Sequence, residues 1–145
     1  MNTQEVNTRL FQNPVTRRHF LGTYPSCMIP ETSKKFYTFI TNTQNHDESG
    51  EHWNGWVVDR SNVTFFDSFG RSPHSLGYTA IVKNFRQVRY TTKCVQDFKS
   101  QTCGLFCIHF LYVMSLKLPI DLFFSEYSID LKNNDYVVST IVDSM

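Results

Sequence analysis

The chain lacks a charge excess of either sign, a hydrophobic run long enough to cross a bilayer, and any CxxC pair. Fourteen Lys and Arg stand against thirteen Asp and Glu, a formal net charge of +1. No global field therefore recruits nucleic acid or an anionic surface. The short basic clusters Arg17-Arg18-His19 and Lys34-Lys35 read as solvated surface. The longest apolar segment, Leu105 to Leu116, carries His109 and is too short for a hydrocarbon core of ~30 Å. It reads as a buried helix. Met1 to Gln12 is polar, so no secretory signal peptide is expected. Cys27, Cys94, Cys103 and Cys107 have no spacing that implies a disulfide framework. Internal repeats, linkers and low-complexity tracts are also missing. These absences predict one soluble, intracellular, membrane-free domain over residues 1–145.

What is present is apolar and aromatic. Hydrophobic residues make up 41% and aromatics 15%, with thirteen phenylalanines, enough for a core that buries roughly two thirds of the unfolded surface. Thr3 to Phe11 predicts a short helix capped by Asn2 or Thr3. Residues 14–33 read as irregular, with Phe20 to Tyr24 an apolar knot. Lys35 to Thr41 reads as a strand and Asn42 to Glu51 as a polar loop. Trp53–Val58 and Val63–Asp67 flank the turn Asp59-Arg60-Ser61-Asn62, a hairpin signal. Ser72 to Phe85 suits a helix with Ser72 as cap and Pro73 in its first turn. Gln87 to Thr91 predicts a strand, Thr92 to Thr102 a loop, and Ser128 to Val142 a final helix. Strands mixed with helices at both ends indicate an α+β architecture.

Cys103 stands where the central helix begins. Ser100, Gln101 and Thr102 are polar residues suited to a helix start. A cysteine there sits among unpaired N–H groups at the positive end of the helix dipole, which favours the thiolate nucleophile. Gly104 follows it, and without a side chain a substrate backbone could come close. Such a nucleophile needs a base, an orienting carboxylate and an oxyanion donor.

The hairpin supplies the first two. His52 precedes its first strand and Asp67 closes its second. With a two-residue loop position 52 lies opposite 67; with a four-residue loop it lies opposite Phe69, one diagonal step away. Both registers put the pair on one face, ~5 to 8 Å apart at Cβ, whereas a one-residue slip separates them. An imidazole and a carboxylate at that distance follow the orienting logic of a catalytic triad. Asp59, in the turn at the far end, and Glu51, pointing the other way, compete less well for the acid role. Gln96, in the loop before Cys103, offers an amide for the oxyanion; Gln101 is nearer but sits at the helix start. Trp53 either shields the imidazole or packs as a strand aromatic, and Gly50 either lines a substrate channel or is a plain loop glycine. Cys107 and His109 read as core residues. A zinc reading of Cys94, Cys103, Cys107 and His109 matches no common spacing, so no metal is expected.

Four blocks in order give the chain a resemblance to the adenovirus-type cysteine protease family, the adenain-like endopeptidases. Phe20-Leu21-Gly22-Thr23-Tyr24 is similar to its FLGTY-type segment and Gly50-Glu51-His52-Trp53 to its histidine block. Phe66-Asp67-Ser68-Phe69-Gly70 is similar to its acid block, and Gln96 with Cys103-Gly104-Leu105-Phe106-Cys107 to its oxyanion and nucleophile block. The resemblance implies a papain-like α+β core of the adenain/ubiquitin-like-protease type, a mixed sheet flanked by helices. It assigns His52, Asp67 and Cys103 to catalysis and Gln96 to the oxyanion hole, while Gly50, Trp53 and Gly104 are substrate-binding candidates by their own chemistry and position. It implies cleavage of viral capsid and core precursors at glycine-containing sites during maturation, in the virion and the infected cell including its nucleus. The chemistry itself needs no cofactor; some members take a viral peptide and DNA as activators. A monomer is expected. Ser68 departs from the usual proline. No cysteine stands near Phe85, where type members bond the activating peptide, and the chain is shorter than theirs at its C-terminal end. Two other readings stay open: a peptidase for ubiquitin-like modifiers, and a non-catalytic scaffold or nucleic-acid-binding domain with the same fold.

Overall fold

The computed structural model describes residues 1–26, 28–44 and 51–145. Asn2 opens the first helix, α1 (Thr3–Gln12), with a capping box. Its side chain accepts from the Glu5 N–H and its own N–H donates to the Glu5 carboxylate, both at 2.9 Å. Val6 and Leu10, one turn apart, are the buried residues of this helix. A 3₁₀ turn at Thr16–Arg18 then leads into the sheet.

Five strands follow: β1 (Phe20–Pro25), β2 (Phe36–Gln44), β3 (Glu51–Asp59), β4 (Asn62–Phe66) and β5 (Gln87–Tyr90). They lie in sequence order, with β2·β3 and β3·β4 antiparallel and the two outer pairs parallel. The result is the mixed sheet of an α+β fold. The β3·β4 hairpin runs Asp59↔Asn62, Val58↔Val63 and on to Gly55↔Phe66. Continued beyond its last rung, that register sets position 52 against Phe69, the second of the two alternatives. The tip closes tighter than a four-residue loop, with Arg60 in the left-handed region at φ +57°.

The sheet separates two apolar layers. Trp53 and Val57 of β3 face the layer that holds α1, α3 (Cys103–Ser115) and α5 (Leu131–Asp143). Gly55 shares that side: a Cβ there would meet the Phe110 ring at 3.2 Å, so the glycine admits α3 against the sheet. Trp56 and Val58 face the other layer with Phe39, Phe65, Tyr78, Ile81 and Val82. This alternation is the two-residue period of a strand buried on both sides. α3 carries ten buried residues of thirteen, as expected of a helix apolar all round. A short helix, α4 (Ile120–Phe124), which the sequence did not suggest, brings Phe123 onto Phe66 and Phe110.

Three sequence expectations change. The knot at Phe20 to Tyr24 is β1. A register shift between Phe20 and Thr23, with Gly22 at φ +136°, interrupts the alternation that would have marked a strand. Asn42 to Gln44 belongs to β2 and Glu51 begins β3, so strands extend into both ends of the expected loop; 45–50 lie outside the described residues. The helix expected over Ser72 to Phe85 shrinks to α2 (Thr79–Val82). There the Pro73 carbonyl accepts from both Leu76 and Tyr78 N–H, Gly77 turns at φ +85°, and Tyr78 is fully buried. Tertiary anchoring of that tyrosine overrides local helix preference.

Two turn glycines allow a test. Both Gly70 (φ +77°) and Gly77 (φ +85°) are left-handed, but a Cβ at Gly70 would lie 2.6 Å from the Thr92 carbonyl oxygen while Gly77 has nothing within 4 Å. Gly77→Ala is expected to cost about 1–2 kcal/mol from backbone strain alone, and Gly70→Ala roughly twice that. Urea titration measures both; equal losses would show that the approach of Thr92 imposes no constraint.

Candidate active site

β4 ends at Phe66, and the chain turns over Asp67 to Gly70, where the Gly70 N–H donates to the Asp67 carbonyl at 2.8 Å. Asp67 is fully buried. A buried carboxylate is costly unless its oxygens are filled, and here four bonds fill them. Oδ1 accepts from His52 Nε2 at 2.5 Å and from Asn54 Nδ2 at 2.9 Å. Oδ2 accepts from the Arg71 backbone N–H and from Arg71 Nε, each at 3.0 Å.

His52 and Asn54 are alternate residues of β3, so both reach the carboxylate from one side of the strand. The ring is also hydrogen-bonded to Cys103. The imidazole stacks on Phe69 (centroids 5.3 Å, planes 21° apart), and Phe69 stacks on Phe98 (5.5 Å, 6°). The Arg71 guanidinium lies 5.1 Å over the Phe69 ring. Phe98 is 78% exposed, so this stack runs from solvent to a histidine that is itself buried.

Burial alone would lower the His52 pKa. The hydrogen bonds with Asp67 and Cys103, and the charges of both, outweigh it and raise the imidazole to about 9. Burial would likewise raise Asp67, but His52 and Arg71 hold it down to about 2. At neutral pH the two form an imidazolium–carboxylate pair.

Cys103 is the first residue of α3 and is buried. Thr102 occupies the N-cap position, yet its hydroxyl donates to Asp135 of α5 at 2.7 Å and accepts from no N–H of the helix. The first-turn N–H groups are thus not consumed by a side-chain cap. Gln96 is buried within the preceding loop: Nε2 donates to the Ser100 carbonyl at 3.1 Å, and Oε1 accepts from the Ser68 hydroxyl.

The structure therefore brings His52, Asp67 and Cys103 together, and anchors Gln96 to Ser68 and to the segment that starts α3. The substrate-binding expectations fare differently. Gly104 is buried, and a Cβ on it would meet Trp53, Val6 and Met1 side chains at 3.3–3.4 Å. That glycine admits α1 and Trp53 and not a substrate backbone. Trp53 is buried on the α3 side of the sheet, opposite to Asn54, so it packs and does not present a face to solvent. Gly50 lies outside the described residues, as does Cys27. Asp59 is exposed at the far end of the hairpin. Cys107 is buried, donating to the Trp53 carbonyl at 3.3 Å. His109 bonds Tyr127 at 2.7 Å, and burial lowers it to about 4. Among the described residues no cluster of three or more His, Cys, Asp or Glu could hold a metal, and no helix is long and apolar enough to cross a membrane.

Sequence reasoning missed Asn54, Ser68, Arg71 and Tyr78. The signal for Asn54 was available: an amide inside an apolar strand buried on both faces needs partners. It receives the Tyr78 hydroxyl on Oδ1 at 2.9 Å; Tyr78 in turn accepts from Thr41, and Thr41 from Trp56 Nε1.

No family model matches the chain. Among known proteins it is similar to the protease of Human adenovirus B serotype 3, 31% identical over 114 residues that cover 65% of this chain and 53% of that protein. It is similar also to the protease of Bovine adenovirus 2, 31% identical over 116 residues, 65% of this chain and 54% of that one. The chain thus spans about half the length of the adenovirus proteases it matches. Among solved structures it is similar to ChlaDub1 from Chlamydia trachomatis, with a TM-score of 0.56 at 13% identity, covering 76% of this chain and 60% of that one. The sequence similarity is to adenovirus proteases, and the mixed-sheet α+β fold is similar to that of ChlaDub1.

The shifted ionisations define a pH window. The carboxylate contributes fully above its ordinary value of 3.8 and is lost as pH falls through about 2. The imidazolium contributes fully below 6.5 and is lost as pH rises through about 9. The pair stabilises most between those two ordinary values. Within that window Asp67→Asn is expected to lower Tm by on the order of 5 °C, with a smaller loss above pH 9 and near pH 2. A loss that does not vary with pH would show that these ionisations are not coupled to folding.

Proposed function

We propose that this chain is a cysteine endopeptidase domain. The observation that carries the reading is the buried His52–Asp67 pair hydrogen-bonded to a cysteine that opens the central helix. In this reading His52 holds the proton given up by Cys103 while the sulfur attacks a peptide carbonyl carbon. Asp67 fixes the ring and stabilises the imidazolium. Gln96 Nε2 and the N–H of Cys103 hold the tetrahedral oxyanion. Collapse breaks the C–N bond, and the departing amine takes the proton from His52. Water then attacks the thioester, giving up a proton to His52, and the acid product leaves as the thiol reforms. The Phe69–Phe98 stack covers one face of the imidazole and keeps water from it.

The likeness to adenovirus proteases supports viral capsid and core precursors as substrates, cut at glycine-containing sites in the virion and infected cell. Activation by a viral peptide and DNA is disfavoured: no cysteine stands near Phe85 to bond the peptide, and the near-neutral charge gives DNA little long-range attraction. Cys103→Ala is expected to abolish cleavage of such precursors without changing the circular dichroism spectrum; residual cutting would remove Cys103 from the nucleophile role. Asp67→Asn should slow turnover by up to about 10⁴-fold, and wild-type turnover would give the acid role to another carboxylate. Incubation with capsid precursors, with and without DNA, followed by mass spectrometry of the new termini, identifies the bond cut. Cleavage of a ubiquitin-like fusion but not of any precursor would reassign the substrate class.

A further inference from the structure

Ser68, the residue after the acid, is fully buried and bonded in three ways to the loop that carries Gln96. Its carbonyl accepts the Val95 N–H at 2.9 Å and the Gln96 N–H at 3.2 Å. Its hydroxyl donates to Gln96 Oε1. The direction of that last bond is fixed by chemistry. The Ser100 carbonyl can only accept, so the amide must turn its NH₂ toward Ser100 and its oxygen toward Ser68. An amide without such anchors can rotate by half a turn at little steric cost, which exchanges a donor for an acceptor. An acceptor facing a developing oxyanion would repel it.

We propose that Ser68 is a positioning residue for the oxyanion donor: its hydroxyl locks the Gln96 amide in the orientation that presents N–H, not C=O, to the reacting carbonyl. The inference rests on the endopeptidase reading and on the role of Gln96 within it. Asp67 and Ser68 are adjacent, and their side chains serve opposite halves of the site. Asp67 orients the base, and Ser68 orients the amide. The dipeptide at the end of β4 thereby ties base and oxyanion donor to one backbone segment.

The test is a cycle of variants assayed with a fluorogenic peptide amide bearing a glycine pair before the scissile bond. Ser68→Ala is expected to lower kcat roughly tenfold to a hundredfold, below the loss for deleting a donor outright, with KM within about twofold. Ser68→Thr, which keeps the hydroxyl, should recover most of that loss. The double variant Ser68→Ala/Gln96→Ala should be no slower than Gln96→Ala, because Ser68 acts only through the amide. Alkylation of Cys103 by iodoacetamide forms no oxyanion, and its rate should match wild type in Ser68→Ala. If Ser68→Ala slows alkylation and peptide hydrolysis alike, or if its loss adds to that of Gln96→Ala, the positioning role is wrong. A slow Gln96→Ala beside a normal Ser68→Ala overturns the Ser68 inference and leaves the oxyanion assignment standing. A Gln96→Ala variant with wild-type kcat overturns the oxyanion assignment, and the Ser68 inference with it.

Discussion

One fully buried carboxylate organises the region around it. Asp67 has no solvent to stabilise its charge, so its two oxygens must be filled by donors, and the donors come from separate parts of the chain. His52 and Asn54 come from β3, and the Arg71 backbone and side chain come from the turn that follows β4. Asn54 extends the network: its oxygen accepts Tyr78, which accepts Thr41, which accepts Trp56. All of these are buried in or beside the second apolar layer. The segment that would otherwise have formed a longer helix after Ser72 is therefore pinned through Tyr78 to the same carboxylate that holds the histidine. Removing one donor from such a network leaves its partner unsatisfied, which costs more than the bond itself contributed.

The sheet sets which residues can meet. Odd positions of β3 from Trp53 to Val57 face α3, and even positions face the other layer. His52 is even, while Cys103 starts a helix on the odd side, so within the body of the sheet the two could not touch. The pairing of β3 with β4 stops at Gly55↔Phe66, and β3 continues four residues further while β4 turns away at Asp67. At that open corner the imidazole, released from the pairing, contacts both the carboxylate and the sulfur. The corner is the place where the two layers communicate.

The residues with the chemistry were legible in the sequence because they sit at element boundaries with strong local signals. A cysteine before an unbroken apolar run marks a helix start. A histidine and an aspartate flanking a turn-punctuated pair of strands mark one end of a hairpin. The register itself was readable to within two alternatives, both of which keep His52 and Asp67 on one face. What escaped depended on contacts distant in sequence. β1 was obscured by its irregularity at Gly22, and the helix after Ser72 was overridden by the anchoring of Tyr78. Gly104 looked like a substrate contact because a glycine beside a nucleophile invites that reading. Only the packing of α1, with Val6 and Met1 against it, shows the space already filled. Ser68 gave no signal of its own, since a lone serine in a turn has many uses.

The hairpin register also has a consequence for specificity of the fold. Asp67 and Ser68 are adjacent in the turn that follows β4, and they address different partners, His52 and Gln96. A slip of one residue would carry Asp67 out of its place and set either Phe66 or Ser68 beside the imidazole. The slip leaves the histidine without its ion pair, and it moves a buried carboxylate away from its donors. Both penalties arise at once from a single displacement, in addition to turning Phe65 and Val63 out of their layer. The polar site thus reinforces the pairing that the apolar alternation of β3 and β4 already favours. The buried charges of this corner thus also disfavour the misregistered sheet.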